Sequence, residues 1–397
     1  MGRFFNHERF GAPQILAGFL LLAFLAECFW LIAHQPHSAV PPDELARIEL
    51  GLAQWHGHTI AGSPVAANSE WAGIRGSDRD HTPLWYLIGA APLAIFGVAP
   101  GSHTWLWLTH LPYVFCGVLL GASLWYVARR LYGNAGGYVA LSLYCFSPAV
   151  IRASALWFSQ PNITGAWGTF GAVFTAIAVS HTLYAPREVV LWNWRRIVLL
   201  GVSLALAAGS QFSLALILPL ILLFMLYLAP ARRAAACAIF ASACGVASLL
   251  LFASYFFHAT AFWQSLLHAR LLEVNWRALA MAGAYSQAAK EIVASGPVLV
   301  LLVPAALFAY VYWRRTRYFG NLVPLLMALL FLALRVASPH DPESVFTLLA
   351  VVFLFLFVAG IAADLLETKA RQPVAAVLGG LLAANALWNL LRLAQIG

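Results

Sequence analysis

Charged residues are scarce in this sequence of 397 residues: they make up 10% of it, against about a quarter in typical soluble domains. Acidic residues are the scarcest, with 15 Asp and Glu against 23 Lys and Arg, while apolar residues reach 62%. This composition excludes an ordinary soluble protein and is typical of a polytopic membrane protein. Because apolar and polar residues do not alternate with a period of two, we predict an all-α fold of transmembrane helices rather than a barrel.

Motifs of several common protein classes are also missing. The sequence contains no P-loop, dinucleotide fingerprint, HExxH pair or CxxC pair, which argues against an ATP-driven pump and against the usual zinc and nicotinamide enzymes. All five cysteines lie inside apolar runs, without the spacing of a metal site or a disulfide framework. The basic residues separate apolar runs instead of forming one patch, so no nucleic-acid partner is expected.

Apolar runs of roughly 16 to 25 residues recur along the chain, and runs of this length cross the hydrocarbon core as helices. No repeat and no Pro/Ser/Gly-rich linker divides them, so we predict a single transmembrane domain over residues 1–397. The runs predict about eleven membrane helices, at residues 13–33, 103–128, 135–150, 163–183, 197–208, 212–228, 237–257, 297–313, 322–336, 345–363 and 374–391.

The short basic clusters between these runs predict the topology by the positive-inside rule. With the N-terminus in the cytoplasm, every cluster is cytoplasmic only if two conditions hold: residues 84–97 lie along the membrane interface, and residues 197–228 cross twice with a break near 209–211. The two long extracytoplasmic segments are then residues 35–102 and 258–295. We expect a functional site to be built mainly from them.

The first of these segments begins with two adjacent acids, Asp43 and Glu44, directly after the first predicted span. Ionisable groups at a membrane boundary are costly to desolvate, so acids collected there point to a functional role. The alternative interpretation is that they are solvated loop acids. A carboxylate placed there is able to accept the proton of a hydroxyl group or to help hold a cation.

The order of features resembles the GT-C class of membrane glycosyltransferases, in particular the branch with protein O-mannosyltransferases and lipid A aminoarabinose transferases. The resemblance covers most of the chain. It rests on a first span, the run Pro42-Asp43-Glu44, a loop of roughly thirty-five residues and the run DHTPLWY at residues 80–86. Weaker similarities are the sequence RRLYG at residues 129–133, as an inner turn, and Ser147-Pro148, as the outer end of a span.

The resemblance implies transfer of a sugar from a polyprenyl-phosphate-linked donor to an acceptor, at the extracytoplasmic face of a membrane that we expect to be the bacterial inner membrane. Asp43 matches the catalytic acid of the class, and Glu44 is the second candidate. Because the chain shows no soluble C-terminal domain, we expect a lipid or polysaccharide acceptor rather than a protein. Besides this donor and acceptor, the expected partners are membrane lipids.

Asp80 and His81 occupy the places of an acid and a lysine in the class, where a cation would bind the donor phosphate. Histidine leaves three alternatives open: it binds the phosphate, ligates a divalent metal ion, or caps the following helix. The further ligands of such a metal would be His56, His58 and Glu70. No other cofactor is expected.

A polyprenyl phosphate also needs lasting positive charge near the outer interface. We predict that some of the basic residues on the predicted outer side supply it, and we expect Arg335 to be paired with an acid because it lies close to the membrane core. The candidates are Arg75, Arg79, Arg270, Lys290, Arg335 and His340.

Four features depart from the pattern of the class. Arg47 replaces an aromatic residue, Asn162 an acid and Gln211 a lysine, and the run His340-Asp341-Pro342-Glu343 replaces a His-Pro-Arg-Tyr-like run. Two alternative functions therefore stay open. One is a transporter or flippase of lipid-linked sugars, although the acids lie in a loop rather than near the middle of the membrane. The other is an inactive member of the class that serves as a membrane scaffold.

Overall fold

The computed structural model describes residues 11–34, 42–57, 80–98, 102–156, 162–184, 194–272, 274–338 and 345–395, and for residues 42–46 and 103 it describes the backbone alone. Helices dominate these ranges, which contain no strand. The α-helices are α1 (Ala12–Ala33), α2 (Pro42–Trp55), α3 (Leu84–Phe96), α4 (His103–Cys145), α5 (Pro148–Ala155), α6 (Asn162–Thr182), α7 (Trp194–Ser210), α8 (Ile217–Leu228), α9 (Arg233–Ser254), α10 (Ala259–Leu267), α11 (Ala282–Ser295), α12 (Leu299–Tyr312), α13 (Phe319–Ala337), α14 (Val345–Leu366) and α15 (Arg371–Ala394).

In these ranges, seven helices are long and apolar enough to cross a membrane, or eight if α11 and α12, which meet at a bend of 108°, form one span. The all-helical, polytopic fold is therefore confirmed. Each predicted span coincides with a helix or with consecutive helical segments. Seven is lower than the predicted eleven because α4 covers two of the predicted spans, and because α7, Phe212–Leu228 and α12 are each shorter than a full span.

Two predicted boundaries lie inside these helical stretches. α4 is 43 residues long, but Gly133 has a φ of 74° and a ψ of −173°, so the helix is two segments that meet at the predicted inner turn. α7 ends at Ser210, and a 3-10 helix over Phe212–Leu216 leads into α8. This second boundary is the predicted break near residues 209–211.

α14 is the centre of the bundle, since nearly all of its side chains are buried among α4, α6, α12, α13 and α15. Beside it, α6 packs closely on α7 through its glycines. A Cβ atom at Gly168 would lie 2.5 Å from the Ala207 nitrogen, so no larger residue fits unless the helices move apart. Small residues at such contacts let helix backbones approach each other in membrane proteins.

The first predicted outer segment contributes the helices α2 and α3, which pack on each other. A Cβ atom at Gly51 would lie 2.6 Å from the Tyr86 carbonyl oxygen, so the two backbones nearly touch. The Trp55 indole donates a hydrogen bond of 2.9 Å to the Leu87 carbonyl, and the Gln54 amide donates one of 2.8 Å to the Ser254 carbonyl at the end of α9. These contacts fix α2 against the bundle.

Candidate functional site

The segment Asp80–Pro83, here called the Asp80 segment, is bonded to the break after α7. The Thr82 nitrogen and hydroxyl both donate to the Gly209 carbonyl, at 3.1 and 2.8 Å, and the Phe212 nitrogen donates to the Asp80 carbonyl at 2.8 Å. A helix that stops leaves backbone groups without partners, which is costly away from water. The Asp80 segment satisfies two of these groups and is held in place by them.

The same segment starts α3. The Leu84 nitrogen donates a hydrogen bond of 3.3 Å to the Thr82 hydroxyl, which satisfies one free N–H group in the first turn. Thr82 and Pro83 are buried, while Asp80 and His81 on the preceding side are half-buried. The two predicted site residues therefore lie at the rim of a rigid junction between α3 and the α7 break.

Arg47 and His81 both lie against the buried indole of Trp85. The His81 and Trp85 ring centroids are 5.6 Å apart, and the guanidinium carbon of Arg47 is 5.7 Å from the Trp85 ring centroid. An arginine over an aromatic face is held by a cation–π interaction. Arg47, which the sequence presented only as a departure from the class, thus supplies a lasting positive charge at the indole that His81 also contacts.

The two adjacent acids stand in the first turn of α2, which begins at Pro42. Acidic residues in the first turn are favoured by the partial positive charge of the helix N-terminus. Position 43 is one turn before Arg47, and position 44 is one turn before Ile48, which is buried. The helix thus places position 43 on the Arg47 side and position 44 on a different side.

Arg335 is buried at the end of α13, with 4% of its surface exposed, and its acid partner is Glu291 on α11. Its Nε and Nη2 donate to the two carboxylate oxygens at 2.9 and 2.6 Å, and its Nη1 donates to the Ser338 carbonyl at 3.0 Å. The Thr347 hydroxyl also donates to Glu291, at 2.6 Å. The expectation of an acid partner is confirmed, whereas a phosphate-binding role for Arg335 stays a prediction.

The α7 break and the start of α14 meet at the start of α6. A Cβ atom at Gly165 would lie 3.4 Å from the Ser210 Cβ and 3.6 Å from the Val345 Cγ2, and Val345 is two residues before Thr347. We call the group formed by Arg335, Glu291, Ser338 and Thr347 the Arg335 cluster. Neighbouring helix ends thus connect this cluster to the Asp80 segment.

Three buried polar atoms near the α7 break have no hydrogen-bond partner in the described part of the chain: Trp85 Nε1, Ser210 Oγ and Ser213 Oγ. Most buried polar groups in proteins are hydrogen-bonded, and an unsatisfied one destabilises the fold. Sequence reasoning missed the roles of these two serines and of Glu291, because those roles depend on which helices pack together.

The other predicted site residues are more scattered. Lys290 is exposed on α11 beside Glu291, Arg270 is exposed after α10, and His56 is exposed at the end of α2. Within the ranges that the structure describes, no three His, Cys, Asp or Glu side chains are grouped to hold a metal ion. Arg75, Arg79, His58, Glu70 and His340 lie outside the described residues, so their predicted roles stay predictions.

No protein-family model and no curated protein matches the sequence. Solved structures do match. The archaeal oligosaccharyltransferase AglB from Archaeoglobus fulgidus, in complex with an inhibitory peptide and a dolichol-phosphate, superimposes with a TM-score of 0.58 at 15% identity, covering 95% of this chain and 56% of that one. This chain has the GT-C fold.

Two further structures of the Archaeoglobus fulgidus oligosaccharyltransferase agree with this assignment of the fold. The form tethered with an acceptor peptide gives a TM-score of 0.60 at 14% identity, covering 95% of this chain and 55% of that one. The form in complex with Zn and sulfate gives 0.53 at 16% identity, covering 94% and 53%. The chain thus spans about half the length of the structures that it matches. At this identity the likeness shows the fold alone, and the aminoarabinose-transferase branch stays a prediction.

Proposed function

We propose that the protein is a glycosyltransferase that moves a sugar from a polyprenyl-phosphate-linked donor to a lipid or polysaccharide acceptor at the extracytoplasmic face of the bacterial inner membrane. The observation that carries the proposal is the meeting of α2 and the Asp80 segment: Arg47 and His81 share the Trp85 indole, one helical turn from position 43. The GT-C fold supports the same class of reaction.

The proposed reaction is a displacement at the anomeric carbon of the sugar. The acceptor oxygen forms a bond to this carbon, while the bond from the carbon to the donor phosphate oxygen breaks. The Asp43 carboxylate takes the hydroxyl proton, and the polyprenyl phosphate leaves with the electron pair of the broken bond. Glu44, on a different side of α2, is the second candidate for contact with a substrate.

Arg47 and His81 are proposed to bind the departing phosphate. An arginine guanidinium stays charged at any physiological pH and forms strong, charge-assisted hydrogen bonds to phosphate oxygens. The half-buried position beside Trp85 lowers the exposure of this charge to water, which strengthens its attraction for a phosphate. Asp80 is proposed to position the polar head of the donor next to His81.

The lipid-linked nature of the donor fits the position of this site beside apolar helices, because a polyprenyl chain requires a path within the bilayer. The archaeal oligosaccharyltransferase with a similar fold was solved in complex with a dolichol-phosphate, which supports a lipid-linked donor here. A divalent metal ion, with His81, His56, His58 and Glu70 as its ligands, stays a prediction, and no step of the proposed reaction depends on it.

The test uses the full chain purified into lipid nanodiscs with a panel of polyprenyl-phosphate sugars and with lipid, polysaccharide and peptide acceptors, scoring transferred sugar and released polyprenyl phosphate. We expect Asp43→Asn to lower turnover by about 10²- to 10⁴-fold, the range for loss of a catalytic base. Glu49→Gln, which removes an acid on another side of the same helix, is the matched control and should retain activity.

The other functions give different results in the same assay. A flippase moves the donor across the bilayer without releasing polyprenyl phosphate, and an inactive scaffold gives no product with any variant. Either outcome in the wild-type protein contradicts the proposal. A chelator arm tests the metal separately: loss of turnover that Mg²⁺ or Mn²⁺ restores would support it, and unchanged turnover would exclude it.

A further inference from the structure

α9 ends in a corner where two consecutive residues, Phe256 and Phe257, have positive φ angles of 51° and 61°. In the described ranges they are the only residues other than glycine with a positive φ. In this left-handed region the side chain of an L-residue crowds its own backbone, so a bulky residue is strained unless its surroundings hold it. Such strain is a reason to look for a function of the corner.

The corner has the hydrogen bonds of a Schellman motif, a common way to end a helix. The Phe256 nitrogen donates to the Ala253 carbonyl at 2.9 Å, and the Phe257 nitrogen donates to the Phe252 carbonyl at 3.3 Å. The first left-handed residue of this motif is usually glycine. Glycine would give the same hydrogen bonds without strain, so the motif alone does not explain the two phenylalanines.

Two side chains of α2 contact the corner. The last turn of a helix leaves carbonyl groups without helical partners, and the buried Gln54 amide donates a hydrogen bond of 2.8 Å to one of them, the Ser254 carbonyl. The next residue of α2, Trp55, packs edge to face on Phe256, with ring centroids 5.8 Å apart. The strained corner is therefore the part of α9 that holds the end of α2.

This end of α2 is opposite to the proposed catalytic base. The backbone of α2 nearly touches α3 at Gly51, between the contacts with α9 and the start of the helix. Position 43 lies about 12 Å from Gly51 along the helix, and Arg47 lies about 6 Å from it, at 1.5 Å per residue. A tilt of α2 about Gly51 thus moves position 43 about twice as far as Arg47, which Trp85 also holds.

We propose that Gln54 and Phe256 are positioning residues for the transfer reaction: they join α2 to α9, set the tilt of α2 and thereby place the Asp43 carboxylate. This inference rests on the proposed function of the site. A displacement of about 1 Å in a reacting group lowers a rate by about 100-fold. The strain at position 256 has a reason in this account, because glycine has no ring to pack on Trp55.

The first test compares two glycine variants of the full chain in nanodiscs. Phe256→Gly relieves one strained residue and loses the ring contact with Trp55 on α2. Phe257→Gly relieves the other and loses a ring contact of 5.3 Å with Phe252 on α9 itself. The two variants should have similar melting temperatures. Only Phe256→Gly should slow the transfer, with kcat lower by about 10- to 100-fold and KM changed by less than about threefold.

The second test compares two variants that each lose one buried hydrogen bond near the end of a helix. Gln54→Met removes the donor to the Ser254 carbonyl, and Ser147→Ala removes the donor of a 2.7 Å bond to the Ser295 carbonyl of α11. Both should be less stable than the wild-type protein. Only Gln54→Met should lower kcat, again by about 10- to 100-fold with little change in KM.

Hydrogen exchange of the α2 amides is a measurement that does not need activity. The amides of residues 47–55 should exchange at least about tenfold faster in Gln54→Met and Phe256→Gly than in the wild-type protein, and at the wild-type rate in the two controls. Unchanged exchange in Gln54→Met and Phe256→Gly would overturn the attachment of α2 to α9. Faster exchange with unchanged kcat would overturn the positioning role.

Failure of the proposed function gives a different result. A wild-type protein without turnover would overturn that function, and the positioning role with it. Faster exchange in Gln54→Met and Phe256→Gly would still support the attachment of α2 to the corner.

Discussion

The Arg335 cluster and the α7 break are polar regions at neighbouring helix ends, yet their hydrogen bonding differs. In the Arg335 cluster both carboxylate oxygens of Glu291 accept hydrogen bonds, and all three guanidinium nitrogens of Arg335 donate. At the α7 break the backbone is satisfied by the Asp80 segment, whereas Ser210 Oγ, Ser213 Oγ and Trp85 Nε1 have no partner in the described chain.

The difference separates groups that hold the fold from groups that are available to a ligand. A saturated, buried ion pair stabilises one arrangement of helices and has few donors left over. Polar groups left unsatisfied beside Asp80, His81 and Arg47 lower stability and gain a partner only when a substrate binds. We therefore expect the Arg335 cluster to respond to mutation mainly in stability, and the α7 break mainly in activity.

The largest expected effect on stability comes from Arg335→Ala. Arg335 is buried and Glu291 is half-buried, so removing the arginine leaves a carboxylate that water reaches only in part. The cost in the free energy of unfolding should approach, without exceeding, the value of about 3–5 kcal/mol for a fully buried pair. Unfolding in detergent by increasing amounts of a denaturing surfactant measures this. The double variant Arg335→Met with Glu291→Leu is the control, because it removes both charges, and it should recover most of the loss. A double variant as unstable as Arg335→Ala would show that the pair does more than compensate charge.

A smaller effect is expected from Thr82→Val, which changes the bond between the Asp80 segment and the α7 break. This variant loses the hydroxyl bond to the Gly209 carbonyl and the bond from the Leu84 nitrogen, at about 1–2 kcal/mol, and keeps the backbone bond from its own nitrogen. Turnover should fall as well, because the Asp80 segment loses part of its attachment. Thr82→Ser, which keeps the hydroxyl group, should behave like the wild-type protein in both assays. A loss of stability with unchanged turnover would contradict a positioning role.

The smallest effect is expected from Ser210→Ala. Because its hydroxyl has no partner, the variant should match the wild-type stability or exceed it by about 1 kcal/mol or less. Thr347→Val is the matched comparison in the Arg335 cluster, where the lost hydroxyl does have a partner, and it should destabilise the protein. If Ser210→Ala destabilises the protein as much as Thr347→Val, the contrast between the two regions is wrong.

Much of the architecture was predictable because apolar run length and basic clusters act locally. The break near Gly209 followed from requiring every basic cluster on one side of the membrane, and the inner turn at Gly133 followed from the resemblance of residues 129–133 to the class. The structure has both. The prediction that Asp80 and His81 act together with Asp43 came from the resemblance to the class. The hydrogen bonds between the Asp80 segment and the α7 break could not be predicted from run lengths, basic clusters or motifs, because they depend on how the helices pack.

The sequence did not identify hydrogen-bond partners that are far apart along the chain. Arg335 was expected to have an acid partner, but Glu291 is 44 residues away and is selected by how α11 packs across α13. Glu27 lies inside the first span and meets Asn389 at a sequence separation of 362 residues. Arg47 looked like a departure from the class until the packing of α2 on α3 placed it over Trp85. Such pairs depend on helix rotation and register, which short motifs do not encode.

The most direct test of the central claim is an experimental structure of the full chain in nanodiscs with a bound polyprenyl phosphate. We predict phosphate density within hydrogen-bonding distance of Arg47 and His81, with the Asp43 carboxylate facing the space where the sugar would be attached. Phosphate density on the predicted cytoplasmic side, at Arg314, Arg315 and Arg317, or a structure in which Asp43 and Asp80 line separate cavities, would contradict the account.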